Sequence, residues 1–217
     1  SNQERELNMN DVLLTLGRRP AARKVVKALG LPLPLPQDLD RDISPWTSKS
    51  LDGKTILLSG DSRQLDAIQR ELDAAGAQIT RTHTAGAEAT TGINALIYDA
   101  RALSAPADLR NLYDFFHEHL TKLRRCGRVI LIGQRPRPSE PPARAAAMAA
   151  LEGFGRSLGR EIGRYGSTVH TVLAAPSANA NLGPTLRFLC SARSAFSSGQ
   201  TLVLSKPKRV NAAVYER

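Results

Sequence analysis

Few residues of this chain have the types and spacing that catalysis requires. Asp99 directly follows the apolar run 95–98, so it is expected at the carboxyl edge of a parallel sheet, where an aspartate can accept a phosphoryl group. Such acceptors also need an acidic pair after the first strand and a lysine after the fourth. The chain offers a single Asp61 and an arginine, Arg135, at those places. Phosphoryl acceptance by Asp99 is therefore not expected.

The histidines and cysteines do not form a recognisable metal site. His117 and His119 are two residues apart on a predicted helix, so their side chains point to different faces. Cys126 is expected at a helix end and Cys190 in an apolar run, and the two do not form a C-x-x-C pair. The sequence therefore predicts no metal ligands and two ordinary thiols in a reducing compartment.

A dinucleotide-binding chain would place a glycine-rich loop after its first strand. Here the residues from Ser59 to Asp66 are S-G-D-S-R-Q-L-D, and only Gly60 of a T-G-x-x-x-G-x-G pattern is retained. The missing glycines would let the backbone and a helix N-terminus approach the pyrophosphate. Gln64 adds bulk and Asp66 adds negative charge there instead. We therefore expect no cofactor-binding residues in this loop, and the loop is equally unlike the Ser/Thr/Gly-rich phosphate loop of a flavodoxin.

The elements that would position these residues alternate regularly from Leu51 onward. Continuous apolar runs of strand length, which are typical of parallel strands buried on both faces, alternate with amphipathic segments. This alternation predicts a doubly wound α/β fold with a parallel sheet. The predicted strands are 55–59, 77–81, 95–98, 129–132, 168–173 and 201–204, and the predicted helices are one that ends at Gly76 and those over 107–124, 143–164 and 182–193.

The chain is predicted to contain an extension and one domain. Residues 1–50 form the extension and linker, with a short helix over 20–29 between Pro20 and Gly30. The Leu-Pro alternation of 31–36 must be extended, and it either packs on the chain's own body or binds a proline-recognising module. Residues 51–217 form the α/β domain.

The segment 143–175 resembles the catalytic helix and following strand of the short-chain dehydrogenase/reductase family. The family pattern Y-A-x-S-K-A-G-x-x-G-F-T-K-S-L-A-R-E matches this chain in its second half, G-F-G-R-S-L-G-R-E. The resemblance places Arg144 at the catalytic tyrosine position, Met148 at the lysine position and Gln134 at the serine position. It therefore implies the scaffold of a reductase without catalytic residues.

Other landmarks extend the resemblance over residues 51–205. L-D-G-K at residues 51–54 resembles the family's opening, and F-S-S-G-Q-T-L at residues 196–202 resembles its approach to the last strand. The interval between Gly60 and Tyr98 is too short for the family's full set of elements, so one β-α repeat is missing. Its removal implies the flavodoxin-like strand order 2-1-3-4-5 with a sixth edge strand.

A degenerate copy of this kind is similar to the N-terminal domain of high-molecular-weight 3-oxoacyl-acyl-carrier-protein reductases. The resemblance implies that a catalytic domain binding NADH or NADPH follows in a longer protein and is the first partner of this chain. It also implies a homodimer formed by the helices predicted over 107–124 and 143–164. A standalone pseudoenzyme, or a module that binds a small molecule or a protein at the sheet's carboxyl edge, remains the alternative.

Charge and composition limit the other partners. The chain has 217 residues and a net charge of +10. From residue 101 onward it contains 18 Lys/Arg but only 7 Asp/Glu. This basic surplus could dock an acidic acyl carrier protein, with Arg135, Arg137 and Arg144 as the residues to test. Aromatic residues are 5% and no nucleic-acid-binding motif accompanies the charge, so no nucleic acid is expected. No apolar stretch is long enough for a membrane span, so we expect a cytoplasmic protein without membrane contact.

Overall fold

The computed structural model describes residues 39–60, 63–82 and 92–205. The described residues belong to one compact unit that begins at Leu39. The helix predicted over 20–29, the extended segment 31–36 and the residue Asp61 lie outside the described part of the chain.

The centre of the unit is a sheet of six parallel strands in the order β2-β1-β3-β4-β5-β6. The predicted fold class and strand order are therefore confirmed. The central strands are covered on both faces, which is why their sequences are continuously apolar. The strands are β1 (Thr55–Gly60), β2 (Gln78–Arg81), β3 (Ile93–Asp99), β4 (Leu123–Gly133), β5 (Thr168–Ala174) and β6 (Gln200–Leu204).

In the described ranges, four α-helices lie in two layers on opposite faces of the sheet. They are α1 (Leu65–Ala74), α2 (Leu109–His119), α3 (Pro142–Ile162) and α4 (Asn179–Cys190). Helices α1 and α4 bury their apolar stripes in one core, which contains Leu72, Ile97 and Leu186. Helices α2 and α3 bury theirs in a second core on the other face, which contains Phe116, Leu131 and Leu151.

The first helix follows the sequence pattern closely. Ile68 and Leu72 are buried and one turn apart, as an amphipathic helix requires. The helix ends just before Gly76, whose φ of +95° is the left-handed conformation that glycine adopts most easily. The chain then turns directly into β2.

The connection between α2 and β4 differs from the prediction. The helix predicted over 107–124 begins at Leu109 and ends at His119, and after a single 3-10 turn the chain enters β4 at Leu123. Cys126 therefore lies within a strand and not at a helix end. Its φ is +56°, and the register between β3 and β4 shifts beside it, so the chain forms a bulge at this point.

The long helix α3 packs unusually close to the sheet. Pro142 lies in its first turn, where a missing N–H costs nothing. At Gly155 a Cβ atom would lie 2.7 Å from Oγ1 of Thr171 on β5, so only glycine permits this approach. None of the helices in the described ranges has both the length and the apolar character that crossing a membrane requires.

Candidate functional site

The candidate site is the crevice at the carboxyl ends of β1 and β3. The chain leaves these neighbouring strands in opposite directions, β1 toward β2 and β3 toward β4. Ligands of doubly wound proteins bind at such a switch point. Gly60 ends β1 there with a φ of +126°, and a Cβ atom on it would lie 2.3 Å from the carbonyl oxygen of Asp99. Close packing of β1 on β3 is thus sufficient reason for the one glycine that the loop retains.

Arg101 fills the crevice with its guanidinium group. Its Nε lies 2.8 Å from Oδ1 of Asp99 and its Nη2 lies 2.5 Å from Oδ2, so the two side chains form a bidentate ion pair. Its Nη1 donates to Oε1 of Gln64 at 2.5 Å and, more weakly, to Oδ1 of Asn179 at 3.5 Å. The side chain of Arg101 is 9% exposed and that of Asp99 is fully buried.

These contacts make the crevice a poor fit for a dinucleotide. The positive charge of Arg101 is already neutralised by Asp99, and Gln64 stands where the family's second loop glycine would admit a phosphate. Asp66 is paired with Arg81 at 2.6 Å and adds a further carboxylate to the same loop region. The ion pair with Arg101 also buries the carboxylate of Asp99, so a phosphoryl donor cannot reach it.

Arg144, which the sequence resemblance places at the catalytic tyrosine position, makes structural contacts. It lies in the first turn of α3 and donates to the carbonyl oxygens of Arg101, at 2.9 Å, and of Leu103. Its Nε also lies 3.5 Å from Oε2 of Glu140. Arg144 therefore connects the start of α3 to the loop that follows β3. This contact closes the crevice on the side opposite Arg101.

The two other residues that the sequence resemblance aligns with catalytic positions, Met148 and Gln134, also lack reactive groups. Met148 is buried in the core between α3 and the sheet, with its sulfur 3.8 Å from the position of a Cβ atom on Gly133. Gln134 follows β4 and is partly buried. Neither side chain can donate a proton to a substrate near neutral pH, and no chemistry of the hydride-transfer type is available to them.

A polar cavity of about 360 Å³ lies near the same edge of the sheet. Its lining includes the hydroxyls of Ser59 and Thr82, which bond to each other at 2.8 Å, and the buried ring of His119. Burial lowers the pKa of His119, so its ring is neutral near pH 7. Within the described residues, no three His, Cys, Asp or Glu side chains come together as a metal site would require.

A larger groove, of about 510 Å³, lies at the opposite edge, where β4 begins and α3 ends. Its floor is apolar, from Leu123 and Ile162, while Arg124, Arg125 and Arg164 line it together with Glu161. The guanidinium of Arg164 also lies 4.8 Å from the ring centre of Tyr165. The groove therefore combines an apolar base with a predominantly basic rim.

The sequence did not predict that Arg101 fills the crevice or that Arg144 bonds to the loop after β3. The available signal for Arg101 was its spacing of two residues from Asp99. An aspartate at a strand end followed two residues later by an arginine can fold back into a bidentate pair, as it does here.

Comparison with solved structures relates this fold to that of short-chain dehydrogenases/reductases. The enzyme from Serratia marcescens BCRC 10948 superposes with a TM-score of 0.61 at 17% identity, over 71% of this chain and 97% of that chain. Enoyl-[acyl-carrier-protein] reductase (NADH) from Aquifex aeolicus VF5 gives 0.60 at 16% identity, over 70% and 95%.

A dehydrogenase/reductase from Sinorhizobium meliloti 1021 gives a TM-score of 0.57 at 20% identity, over 72% of this chain and 95% of that chain. No family model matches the sequence, and no curated protein matches it. The chain thus has the Rossmann-like fold of these reductases, with a six-stranded parallel sheet and flanking helices.

Proposed function

We propose that this chain is a non-catalytic scaffold domain of a 3-oxoacyl-acyl-carrier-protein reductase. The observation that carries the proposal is the pair of guanidinium groups, Arg101 and Arg144, that close the crevice from its two sides. The sequence resemblance supports the assignment to this class of reductase. In such a protein, NADH or NADPH and the catalytic residues belong to a separate reductase domain, which this domain contacts.

The chemistry of ketone reduction supports the same conclusion. Hydride transfer to a ketone needs a proton donor, which in the family is a tyrosine whose pKa a neighbouring lysine lowers. The N–H groups of Arg144 are committed to the carbonyl oxygens of Arg101 and Leu103. Met148 does not titrate. Restoring activity would therefore require rebuilding several positions together.

The outer surface of α2 and α3 supports the scaffold role. Ala146, Ala149 and Gly153 lie at helical spacing on α3 and are exposed, so they form a stripe without bulky side chains. Tyr113 on α2 is 52% exposed and stacks on His117 at 5.3 Å between ring centres. Helices that present small residues can approach a second copy closely. We therefore propose that the domain forms a homodimer through this surface.

Nucleotide titration tests the non-catalytic assignment. Isothermal titration of the purified chain with NADH and with NADPH is expected to give no saturable heat up to millimolar concentration. An intact short-chain reductase that binds NADPH serves as the positive control. Binding at micromolar concentration would contradict the proposal, because it would require the contacts of Arg101 to be replaced by phosphate contacts.

A second candidate function is docking of an acidic acyl carrier protein, favoured by the arginine-lined groove at the start of β4. The three residues first considered suit this role less well. Arg144 is engaged with carbonyl oxygens, and Arg137 pairs with Glu140 at 3.0 Å. The groove instead offers three arginines against one carboxylate around an apolar floor. Such a site suits the acidic face of a carrier protein, with apolar contact at its centre.

Charge reversal distinguishes the two docking surfaces. We expect Arg124→Glu/Arg164→Glu to weaken carrier-protein binding at least about tenfold, since close interfacial charge pairs contribute more than about 1.5 kcal/mol each. The matched control, Arg135→Glu/Arg137→Glu, changes the net charge equally and should weaken binding much less. Equal losses in both double variants would indicate general attraction by the basic half of the chain.

A further inference from the structure

Residues 39–50, which we term the strap, lie along the surface formed by α4 and the 3-10 helix Ala192–Phe196 that follows it. The strap contains no helix or strand. Each of its residues is at least partly exposed, and the first buried residue after it is Leu51. Its attachment therefore depends on contacts made by the surface beneath it.

Two arginines of that surface make most of these contacts. Arg187, in the last turn of α4, donates through Nη2 to the carbonyl oxygens of Ser48, at 3.0 Å, and of Thr47, at 3.4 Å. Arg193 donates to the carbonyl oxygen of Ser44. The arginines thus bind the main chain of an extended segment, which does not depend on the identity of its side chains.

Side chains of the strap, among them Trp46 and Asp42, add selectivity. The ring of Trp46 lies between the arginines, 5.5 Å from the guanidinium carbon of Arg187 and 5.2 Å from that of Arg193. A carboxylate oxygen of Asp42 lies 3.8 Å from Nε of Arg193. An acidic residue four positions before a tryptophan therefore describes what the surface recognises, through an ion pair and two cation–π contacts.

The strap does not satisfy this surface completely. Nε of Arg187 is buried and has no hydrogen-bond partner among the residues that the structure describes. Both of its carbonyl contacts are made by Nη2 alone. A carboxylate could bind Nε and Nη2 together, which neutral carbonyl oxygens at this position do not do. The surface therefore fits an acidic peptide better than the segment that lies on it.

We propose that the surface of Arg187 and Arg193 is a peptide-docking site that the chain's own strap covers. Its partner is an extended acidic segment of another protein that carries a tryptophan. Because the strap is tethered, its effective concentration is in the millimolar range. Peptides that bind this surface weakly therefore cannot displace the strap, whereas peptides that bind it tightly can. The free energy needed to detach the strap is small, because its residues are all at least partly exposed and it forms no ladder hydrogen bonds.

The test uses the full chain and a fluorescein-labelled peptide with the sequence of residues 39–50. Asp42→Ala/Trp46→Ala weakens the tethered strap and should let the peptide bind saturably, at least about tenfold more tightly than to the wild type, where the tethered strap competes. Adding Arg187→Ala/Arg193→Ala should abolish that binding. Fluorescence anisotropy measures both, and a peptide with alanine at the positions of Asp42 and Trp46 is the matched control.

Three results would overturn the proposal. The first is an absence of peptide binding to the strap-weakened variant. The second is binding that persists after both arginines are removed or that the control peptide reproduces. The third is loss of the fold in the strap-weakened variant, measured by its thermal midpoint, because the strap would then be an integral part of the unit.

Discussion

At the scale of single residues, the ion pair of Asp99 and Arg101 fills the crevice. A buried carboxylate is costly unless it is paired and fully hydrogen-bonded, and Arg101 supplies both bidentate contacts to Asp99. The pair also connects β3 to α1 and α4 through Gln64 and Asn179. Its contribution should therefore appear in the stability of the whole unit.

We predict that Arg101→Met lowers the free energy of unfolding by about 3–5 kcal/mol, because it leaves a buried carboxylate without a partner. Arg101→Met/Asp99→Asn should lose less than the single variant. Urea unfolding followed by circular dichroism measures both. The control is Arg110→Met, which breaks the exposed pair with Asp114 and should cost less than about 0.5 kcal/mol. Similar losses in Arg101→Met and Arg110→Met would contradict the assignment.

His170 offers a second test at this scale, because it is buried and neutral. Its Nε2 lies 2.8 Å from the hydroxyl of Ser197, and its Nδ1 has no partner among the described residues. Burial, and then the nearby charge of Arg128, lower the pKa of His170 to about 4. In the unfolded chain the same ring titrates near 6.5, so between these values the unfolded state binds more protons.

The contribution of His170 to the free energy of unfolding should therefore be constant above pH 6.5. It should fall by about 3 kcal/mol as the pH decreases from 6.5 to 4. Hydrogen bonds lower the pKa values of Asp42 and Asp108 from 3.8. These carboxyl groups therefore affect the free energy of unfolding mainly at more acidic pH. His170→Gln should remove much of the slope between pH 6.5 and 4 in urea-unfolding series, and His119, whose pKa burial also lowers, contributes to what remains. A slope unchanged in this variant would assign it to other groups.

At the scale of elements, the sequence predicted the six strands and four α-helices of the described unit, but it placed the last helix about three residues late and misplaced the join between α2 and β4. Leu120 and Leu123 continue the helical spacing of α2, and both pack against the core after the helix has ended. Hydrophobic spacing cannot distinguish these cases, because the residues face inward in either conformation. The deciding feature is the bulge at Cys126 and Gly127, which depends on pairing with β3 and is therefore non-local.

Gly127 gives this bulge a measurable consequence. A Cβ atom there would lie 2.5 Å from Cγ of Leu123 and 2.8 Å from the carbonyl oxygen of Arg124. We predict that Gly127→Ala destabilises the unit by about 1–3 kcal/mol, the usual cost of overpacking. Gly163→Ala is the control, since a Cβ atom there meets nothing within 4 Å and its backbone is helical. Thermal unfolding should show the first variant lowered and the second unchanged or slightly raised.

At the scale of the whole molecule, the topology could be predicted because it depends on few constraints. Continuous apolar runs imply parallel strands, and parallel strands joined by right-handed crossovers leave few possible orders. The chain length between Gly60 and Tyr98 then selected the order with one repeat removed. The contacts of Arg101 and Arg144 could not be predicted in this way, because they join residues up to 78 positions apart whose meeting depends on the folded crevice.

The proposed dimer is the property of the whole molecule that the sequence leaves to experiment. If α2 and α3 form the interface, Ala149→Arg places a long charged side chain in the middle of the small-residue stripe. This side chain would prevent the close approach of the two copies. Sedimentation equilibrium should then show a monomer. The dimerisation affinity should fall at least about a hundredfold, because the variant buries an unpaired charge in the interface.

Ala74→Arg is the matched control for this experiment, because Ala74 is also an exposed helical alanine but lies on α1, in the opposite layer. It adds the same charge and should leave the dimer intact. A wild-type chain that is monomeric at high micromolar concentration would remove the dimer from the proposed function while leaving the non-catalytic assignment untouched. Loss of the dimer in both variants would point to repulsion by the added charge on an already basic chain, and the interface would then have to be sought elsewhere.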